Sequence, residues 1–397
     1  MKKTYFLPLA AALLASCGIA PSSSSSSQAI SSQEETSSSY AGKIEITVTD
    51  CIGRQVTLCP DELNRVVCIG AGALRLYSYV GEVDKLCGVE DIDNTSLSQR
   101  PKMFDGAPRP YLLANEEVFK KLPSCGVGGP NAQVAEAEKI SACKPDIIVS
   151  EYEDVDKANA LQEQVGVPVI TLKYGEGGVL KDTFYQSLAL LGQVFGQAER
   201  AKDLIDFYKE ENKAISTRTE NIGEENRPGV YICGLGNYGT TNAYMTAQNY
   251  DPMNTAHIRN VVTGLPKNGV QAIDAEKFLS LAPEMDVMIF DCASVANIRK
   301  DGTYDFSHCK AFQTGEVYLQ MPYNAYYTNP ETALINTWFM AKSVYPENFK
   351  DIDIEAKANE ITKKFNGIEL YDSIKNSAKA YGGYQKIADP TSFFQAA

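Results

Sequence analysis

The most informative part of the sequence is the stretch from residue 134 to residue 150, VAEAEKISACKPDIIVS. Its first part, Val134 to Ala142, has the spacing of apolar residues that predicts a helix. Lys144-Pro145 ends that helix, because proline cannot continue it. The apolar run from Asp146 to Ser150 then predicts a buried strand. A helix followed at once by a buried strand is typical of a parallel sheet with helices on its faces.

The same pattern runs through both halves of the chain. Further buried strands are predicted at Val66–Ile69, Lys85–Val89, Val167–Leu172, Gly229–Cys233, Asp286–Asp291 and Glu316–Gln320, and helices at Ala275–Leu281, Pro330–Val344 and Ile354–Phe365. Between the halves, Asp182 to about Thr217 contains no proline and has one apolar face, which predicts a long helix. We expect Gly192 and Gly196 to weaken this helix without ending it. The predicted fold is α/β, with two three-layer lobes joined by one long bridging helix.

The first residues have the pattern of an export signal. Lys2 and Lys3 precede a short apolar segment, Tyr5 to Ala15, which is too short to anchor the chain. The end of this segment, Leu14 to Cys17, looks like the bacterial lipobox, in which Cys17 is lipidated and becomes the first residue. An ordinary signal peptide with a chance cysteine is the alternative. Residues 18–40 are rich in serine, which predicts a flexible tether.

These patterns divide the chain into five parts. They are a signal peptide (1–16), a lipidated cysteine with its tether (17–42), an N-terminal α/β lobe (43–178), a bridging helix (179–220) and a C-terminal α/β lobe (221–397). Such a mature protein would be extracytoplasmic and held to a bacterial membrane only by its lipid anchor.

The composition of the 397-residue chain excludes several classes of protein. With 37 basic and 50 acidic side chains, the formal net charge is −13, which argues against nucleic acid or an anionic membrane surface as a partner. The 44% hydrophobic content is ordinary for a folded chain. Only His257 and His308 are available as ordinary bases, and common catalytic motifs are missing, so we do not expect an enzyme.

Nine cysteines follow Cys17, and none forms a C-x-x-C pair or has zinc-finger spacing. An odd number leaves at least one thiol free or paired between molecules. Five of them lie in or beside apolar segments, where cysteine acts as a small hydrophobe: Cys68, Cys87, Cys143, Cys233 and Cys292. Cys51 and Cys59 flank a possible hairpin and are the only candidate pair for a disulfide, and the sequence does not decide which cysteines are oxidised.

Four motifs, in order, resemble those of a known family. Residues 48–56, VTDCIGRQV, and residues 64–70, NRVVCIG, are similar to the opening of iron-complex and cobalamin substrate-binding proteins of ABC importers. Residues 138–149, EKISACKPDIIV, resemble a further segment of that family, and residues 275–290 contain its counterpart in the second half. The resemblance extends from about residue 46 to residue 365.

This resemblance implies a function as well as a fold. The family binds its ligand in the cleft between the two lobes and delivers it to an ABC permease dimer with its ATPase. It has no intrinsic cofactor, because the metal complex is cargo. Glu138 and Glu276, each seven residues before a proline, occupy matching positions and are the expected docking contacts with the permease. Two solvated helical glutamates are the alternative. The role requires one copy, so we expect a monomer.

Candidate ligand contacts lie at strand ends and in loops, where donors can converge on a cleft. In the first lobe they are Gly70, Gly72 and Ala73, together with Arg109, Tyr111 and Asn131, whose segments resemble the cleft-facing segments of close relatives. In the second lobe they are Tyr238, Tyr244, Tyr323, Tyr326 and Tyr327. The small residues at 70–73 let a ligand approach backbone N–H groups, and a tight turn is the alternative. Arg109 suits a carboxylate or an oxyanion, and its alternative is a solvated surface charge.

The tyrosines offer flat apolar surfaces that carry a hydroxyl, and phenolates also bind ferric iron as hard oxygen donors. For the cluster at 323–327, aromatic packing under the last helices is the alternative. Residues 234–239 contain a literal G-x-G-x-x-G. A polar segment rather than a helix follows it, so a cleft loop is favoured over a nucleotide site.

The resemblance indicates an iron(III) complex, such as a siderophore-like chelate, as the first choice of ligand. Cobalamin, haem, molybdate or tungstate, and bare ferric iron held by tyrosines are alternatives within the same fold. A surface sensor or adhesin that reuses the fold is a different class of function. With two histidines in the chain, a His-rich site for bare zinc or manganese is not expected.

Overall fold

The computed structural model describes residues 44–130, 132, 134–174, 182–236 and 241–395. These residues belong to one compact unit, Lys43–Ala397. The predicted signal peptide, the predicted lipidation site Cys17, the predicted tether and the candidate ligand contacts Asn131 and Tyr238 lie outside the described residues. None of the helices in the described ranges is both long enough and apolar enough to cross a membrane.

A five-stranded parallel sheet forms the first lobe. It contains β3 (Val66–Ile69), β4 (Leu86–Glu90), β5 (Ser124–Gly126), β6 (Ile147–Ser150) and β7 (Val169–Thr171), in the order β5-β4-β3-β6-β7. An antiparallel hairpin, β1 (Ile46–Thr49) with β2 (Gln55–Leu58), precedes this sheet. The strands predicted in the first half are confirmed to within about two residues.

The second lobe contains another five-stranded sheet. Its strands are β8 (Gly229–Cys233), β10 (Arg259–Asn260), β12 (Val287–Asp291), β13 (Val317–Gln320) and β14 (Gln385–Lys386), in the order β10-β8-β12-β13-β14. β14 alone is antiparallel to its neighbour. A short antiparallel pair, β9 (Met245–Thr246) with β11 (Gln271–Ala272), lies beside this sheet. The predicted two-lobed α/β class is therefore confirmed.

Helices connect the strands in both lobes. In the first part of the chain they are α1 (Ala73–Val80), α2 (Pro110–Phe119), α3 (Ala137–Ala142), α4 (Val155–Val165), α5 (Asp182–Val194) and α6 (Ala198–Thr219). In the second part they are α7 (Asp251–Thr255), α8 (Ala275–Leu281), α9 (Val295–Asp301), α10 (Lys310–Thr314), α11 (Pro330–Val344), α12 (Ile354–Asn366), α13 (Tyr371–Lys375) and α14 (Pro390–Gln395). The helices predicted at α8, α11 and α12 are confirmed.

The connection between the lobes is helical, but it is not one helix. α5 ends before Gly196, whose φ of +66° is the left-handed conformation that ends many helices. The N–H of Gln197 then donates to the carbonyl of Gly192 at 2.7 Å, which completes a Schellman cap. A Cβ at Gly192 would lie 2.7 Å from the Cβ of Ala201, so this glycine allows α6 to pack closely on α5.

The single long bridging helix is therefore corrected to a pair of helices. α5 packs on α1 in the first lobe, and α6 packs on α11 in the second. The expectation that Gly192 and Gly196 would not end the helix is wrong, because Gly196 supplies the left-handed cap and Gly192 its acceptor.

The motif at residues 48–56 builds the turn of the β1–β2 hairpin. The buried Asp50 carboxylate accepts the N–H of Arg54 at 2.8 Å and pairs with its guanidinium at 3.2 Å. Arg54 also donates to the carbonyl of Val169 at 2.9 Å, which fixes the hairpin to β7. Gly53, with φ of +87°, adopts a conformation that favours glycine. This part of the family resemblance thus reflects the fold rather than the ligand.

The predicted disulfide between Cys51 and Cys59 is wrong. The register of the hairpin puts Cys51 in the turn and Cys59 beyond the open end, so the two residues cannot meet. The Cys51 thiol lies 3.4 Å from the hydroxyl of Ser187 instead. The five cysteines predicted to act as small hydrophobes are buried, and burial raises the pKa of the Cys87 thiol to about 11.

Candidate functional site

The loops that follow the parallel strands of the two sheets meet between the lobes. The carboxyl ends of parallel strands gather at one edge of a sheet, where ligands bind in many α/β folds. In the first lobe these loops follow β3, β4 and β6, and in the second lobe the main one follows β13. We call residues 323–329 of that last loop the interlobe loop, because its contacts with the first lobe join the two lobes.

The turn at residues 70–73 leads from β3 into α1. Gly72 has a φ of +107°, and a Cβ there would lie 2.4 Å from the ring of Tyr174, so only glycine fits. The Tyr174 hydroxyl also donates to the carbonyl of Gly72 at 3.3 Å. Gly70 begins the turn, and the buried Ala73 is the first residue of α1. A tight turn explains Gly72, and a ligand contact here stays a prediction.

Arg75 joins this turn to the interlobe loop. It is fully buried on α1, and its guanidinium donates to the carbonyls of Tyr326 at 2.7 Å and Thr328 at 2.9 Å. It also donates to the carbonyl of Ala325 at 3.1 Å and to the Tyr174 hydroxyl at 3.2 Å. Hydrogen bonds from a charged donor are stronger than neutral ones. Arg75 therefore binds the second lobe through three backbone carbonyls.

Tyr326 inserts its side chain from the interlobe loop into the first lobe. Its hydroxyl donates to the Glu90 carboxylate at 2.7 Å and accepts the N–H of Gly129 at 3.1 Å. The other oxygen of Glu90 accepts the N–H of Gly70 at 3.1 Å. The Tyr326 ring packs beside Phe104, with 5.7 Å between ring centroids. One buried carboxylate thus holds both the turn at 70–73 and the tyrosine of the opposite lobe.

The second lobe fixes the shape of the interlobe loop from the other side. The buried Asp291 carboxylate, at the end of β12, accepts the N–H of Tyr323 at 2.9 Å and the N–H of Ala293 at 3.0 Å. Tyr326 and Tyr327 have φ angles of +56° and +67°, which cost backbone energy for residues other than glycine. Two consecutive left-handed residues mark the loop as a constrained segment.

Burial changes the protonation of the two carboxylates that hold this loop. It raises the pKa of Glu90 to about 7, although the hydrogen bonds from Tyr326 and Gly70 oppose the shift. It likewise raises the pKa of Asp291 to about 7, against the bonds from Tyr323 and Ala293. Both carboxyl groups therefore change charge close to neutral pH.

Arg109 and Tyr111 lie together on the first lobe. Arg109 is 2% exposed, and its guanidinium pairs with Asp93 at 2.6 Å and donates to the Tyr111 hydroxyl at 3.1 Å. The Tyr111 hydroxyl donates to the same Asp93 oxygen at 2.7 Å. The alternative of a solvated surface charge is wrong for Arg109, because its side chain is buried in an ion pair. Contact of these residues with a ligand stays a prediction.

The remaining predicted tyrosines occupy different surroundings. Tyr323 is buried against Tyr250, with 5.1 Å between ring centroids. Tyr244 is half-buried and packs on Phe278 within the second lobe, with ring centroids 5.2 Å apart. Tyr327, in the interlobe loop, is 42% exposed. The structure therefore brings Tyr326 and Tyr327 together with the turn at 70–73, whereas Tyr244 packs elsewhere on the second lobe.

Glu138 and Glu276 are exposed and occupy the same helical position. Each is the second residue of its helix, α3 and α8 respectively. A carboxylate in the first turn suits the positive end of the helix dipole. Neither glutamate forms an ion pair with another described residue. The predicted equivalence of position is confirmed, and docking to a permease stays a prediction.

Sequence reasoning missed the residues that hold the site together: Arg75, Glu90, Tyr174 and Asp291. One signal was available for Arg75, which is the only charged residue in the otherwise apolar helix ALRLYSYV. Glu90 and Asp291 each end a buried strand, which is where polar ligand-facing groups gather. Within the described ranges, no three His, Cys, Asp or Glu side chains cluster closely enough to hold a metal ion.

Comparison with known proteins shows the family. Residues 66–320, more than half of the chain, match the periplasmic binding protein family, and the chain belongs to it. The molybdate-binding protein MolA of Haemophilus influenzae is 23% identical over 353 residues, which cover 83% of this chain and 93% of MolA. The uncharacterized ABC transporter substrate-binding lipoprotein YvrC of Bacillus subtilis is 23% identical over 354 residues, covering 87% and 97% of the two chains.

Solved structures show the same fold. A periplasmic solute binding protein from Veillonella parvula superposes with a TM-score of 0.64 at 20% identity, covering 84% of this chain and 96% of that one. MolA bound to molybdate superposes with a TM-score of 0.62 at 20% identity, covering 82% and 98%. These relatives are binding proteins rather than enzymes. The chain is therefore a substrate-binding component of an ABC transporter.

Proposed function

We propose that this protein is an extracytoplasmic, lipid-anchored receptor that captures an iron(III) complex between its lobes and delivers it to an ABC permease. The observation that carries the proposal is the interlobe loop. Its bonds to the first lobe, from Arg75 and to Glu90, are hydrogen bonds between separate elements. Such bonds can break and form again when a ligand enters or leaves a cleft between two lobes.

The charges near the interlobe loop favour a neutral or cationic cargo. The terminal nitrogens of the two buried arginines of this region already have partners, because Arg75 binds carbonyls and Arg109 pairs with Asp93. The Nε atom of each arginine has no hydrogen-bond partner among the described residues. Two carboxylate oxygens, Asp91 Oδ1 and Glu151 Oε1, are also shut off from solvent and lack a hydrogen-bond partner among the described residues. An iron(III) complex without net negative charge suits such surroundings better than an oxyanion does.

Isothermal titration calorimetry tests the cargo. The protein is titrated with an iron(III) trihydroxamate, with molybdate and with haem, each as a defined compound. We expect the iron complex to bind with a dissociation constant of about 1 μM or tighter, and the other two to bind far more weakly. Binding of molybdate or haem in preference to the iron complex would contradict the proposed cargo and leave the transporter class unchanged.

Molybdate is the second candidate, and the relationship to MolA favours it. The two chains align over nearly their full lengths, at 23% identity. Donors for an oxyanion would come mainly from backbone N–H groups, because the terminal nitrogens of the described arginines near the loop are engaged and only their Nε atoms are unpartnered. Cobalamin, haem, tungstate and bare ferric iron are further candidate ligands. Titrating the protein with each of them in the same calorimetric experiment distinguishes them.

We also propose that Glu138 and Glu276 dock the receptor on its permease. Both are exposed, occupy the same position on their helices, and are not ion-paired with a described residue. Two carboxylates on separate lobes would orient the receptor on a basic surface of the partner by charge complementarity. A surface sensor or adhesin that reuses the fold would not need this pair.

Uptake of the radiolabelled iron complex by cells tests the docking pair. We expect Glu138→Ala with Glu276→Ala to lower uptake by about tenfold or more while the affinity for the complex is unchanged. Glu163→Ala, an exposed glutamate on α4, is the matched control and should leave uptake as it is. Uptake by the double variant at the wild-type level would contradict the docking role and favour a surface sensor or adhesin that reuses the fold.

The lipid anchor is the last part of the proposal. The lipobox-like segment ending at Cys17 supports it, as does the name of the Bacillus subtilis relative, which is a lipoprotein. Metabolic labelling with a radioactive fatty acid tests it directly. We expect the wild-type protein to carry the label and to sediment with membranes, and Cys17→Ser to lose both properties. An unlabelled wild-type protein would contradict the anchor.

A further inference from the structure

Glu151 lies in a fixed position beside the turn at residues 70–73. It is the first residue after β6, at the edge of the sheet where the ligand-facing loops gather. Its N–H donates to the carbonyl of Ile69 at 3.0 Å, and a Cβ on Gly70 would lie 3.1 Å from the Cβ of Glu151. The backbone therefore holds this carboxylate close to the junction of the two lobes.

One oxygen of this carboxylate has no partner. Glu151 Oε1 is shut off from solvent and forms no hydrogen bond with any described residue. Burial raises the pKa of Glu151 well above its ordinary value, and the positive charges of Arg75 and Lys173 oppose this shift without cancelling it. Arg75 is bound to carbonyls of the interlobe loop, and Lys173 pairs with Glu153 at 3.1 Å. A buried acceptor without a partner destabilises the folded state, so its presence indicates a functional reason.

An exposed aromatic ring lies on the other side of the same turn. Glu151 packs against Gly70, whereas the Tyr174 ring packs against Gly72 and contacts the Tyr327 ring. Tyr327 is 42% exposed, has a φ of +67°, and packs edge-on against Tyr174 with 4.8 Å between ring centroids. Strain of this kind gathers at ligand sites, and an aromatic face attracts cations.

We propose that Glu151 and Tyr327 form a subsite for a positively charged group on the bound metal complex. The carboxylate accepts a charge-assisted hydrogen bond from that group, and the phenol ring covers it. The inference rests on the proposed function, because it assigns the charged group to the cargo of the interlobe cleft. It adds that the receptor distinguishes complexes of the same metal by their charge.

Two matched pairs of compounds test the subsite by calorimetry. Ferrioxamine B carries a free ammonium group, whereas ferrichrome is a neutral iron(III) trihydroxamate. Aquocobalamin is cationic, whereas cyanocobalamin is neutral. We expect the protein to bind the cationic member of a pair about tenfold more tightly. Glu151→Gln should remove this preference, while the matched control Glu163→Gln, which changes an exposed glutamate on α4, should retain it.

The outcomes separate this inference from the proposed cargo. If both iron complexes bind equally, with or without Glu151→Gln, the subsite is overturned and the proposed function stands. If neither iron complex binds but aquocobalamin binds more tightly than cyanocobalamin, and Glu151→Gln removes that difference, the iron(III) cargo is overturned and the subsite stands. If none of the four compounds binds, both are overturned.

Thermal unfolding of the ligand-free protein gives an independent test. Glu151→Met replaces the unpartnered carboxylate with an apolar side chain of similar length. We expect it to raise the melting temperature by about 2 °C, as is usual when a residue serves binding rather than the fold. A lower melting temperature would show that the carboxylate supports the fold, and would overturn the inference.

Discussion

Glu90 in the first lobe and Asp291 in the second occupy equivalent places. Each is the last residue of a parallel strand, each is buried, and burial raises the pKa of each to about 7. Their partners differ. Asp291 accepts N–H groups from its own lobe, those of Ala293 and Tyr323. Glu90 accepts one N–H group from its own lobe and the Tyr326 hydroxyl from the opposite lobe.

This difference separates two tasks. Asp291 fixes the interlobe loop within the second lobe, so its hydrogen bonds should persist whether the lobes are together or apart. Glu90 and Arg75 hold that loop from the first lobe, so their bonds to it must break when the lobes separate. A buried carboxylate at a strand end can therefore shape a loop or join two lobes, according to where its partner lies.

The largest effect should follow from the loss of Arg75. Arg75→Met leaves three carbonyls of the interlobe loop without their donor. We expect the free energy of unfolding, measured in urea by circular dichroism, to fall by about 3 kcal/mol or more. Lys202→Met, which removes an exposed ion pair on α6, is the control and should change it by less than about 0.5 kcal/mol. Equal effects of the two variants would contradict the role given to Arg75.

The free energy of unfolding should depend on pH because of the carboxyl groups of Glu90 and Asp291. Their pKa values of about 7 in the folded protein exceed the ordinary values of 4.5 for Glu90 and 3.8 for Asp291, so the folded state binds protons more tightly. This contribution is fully present below about pH 4 and is lost as the pH rises through about 7. The free energy of unfolding should therefore fall over this pH range. We expect Glu90→Gln and Asp291→Asn each to make that fall smaller by about 1–2 kcal/mol.

Small-angle X-ray scattering distinguishes these two variants. Glu90→Gln should increase the radius of gyration, because it weakens a bond between the lobes. Asp291→Asn should leave the radius unchanged, because its partners belong to one lobe. An equal increase in both variants would contradict the division of tasks between the two carboxylates.

A smaller effect should follow from the loss of one hydroxyl. Tyr326→Phe keeps the ring beside Phe104 but removes the hydrogen bonds to Glu90 and from Gly129. We expect it to destabilise the protein by about 1 kcal/mol and to increase the radius of gyration slightly. Tyr327→Phe is the matched control, since the Tyr327 hydroxyl bonds to no described residue. A response to Tyr327→Phe as large as that to Tyr326→Phe would argue against a specific bond to Glu90.

Much of the fold could be predicted because buried strands are continuous apolar runs. Val66–Ile69 and Gly229–Cys233 are found at their predicted bounds, as is the helix Pro330–Val344. The interruption of the bridging helix could not be predicted. A glycine such as Gly196 is tolerated inside a helix or ends it, and the packing of α6 on α5 decides between the two.

The site was less predictable than the fold. The density of tyrosines at 323–327 marks the interlobe loop in the sequence, but Tyr326 and its partner Glu90 are 236 residues apart. No periodicity or spacing links residues at such a distance, because only the tertiary fold brings them together. The role of Arg75 could not be predicted from the sequence either, because its partners are backbone carbonyls, which residues of any type could supply.

Native mass spectrometry most directly tests the claim that this receptor holds a metal complex between its lobes. The chain from Lys43 onward, the compact unit, would be purified without a tag from its own host. We predict one retained species per protein, with the mass and isotope pattern of an iron(III) complex, and its loss in the double variant Arg75→Met with Glu90→Gln. A retained molybdate, or an iron complex held equally well by that variant, would contradict the account.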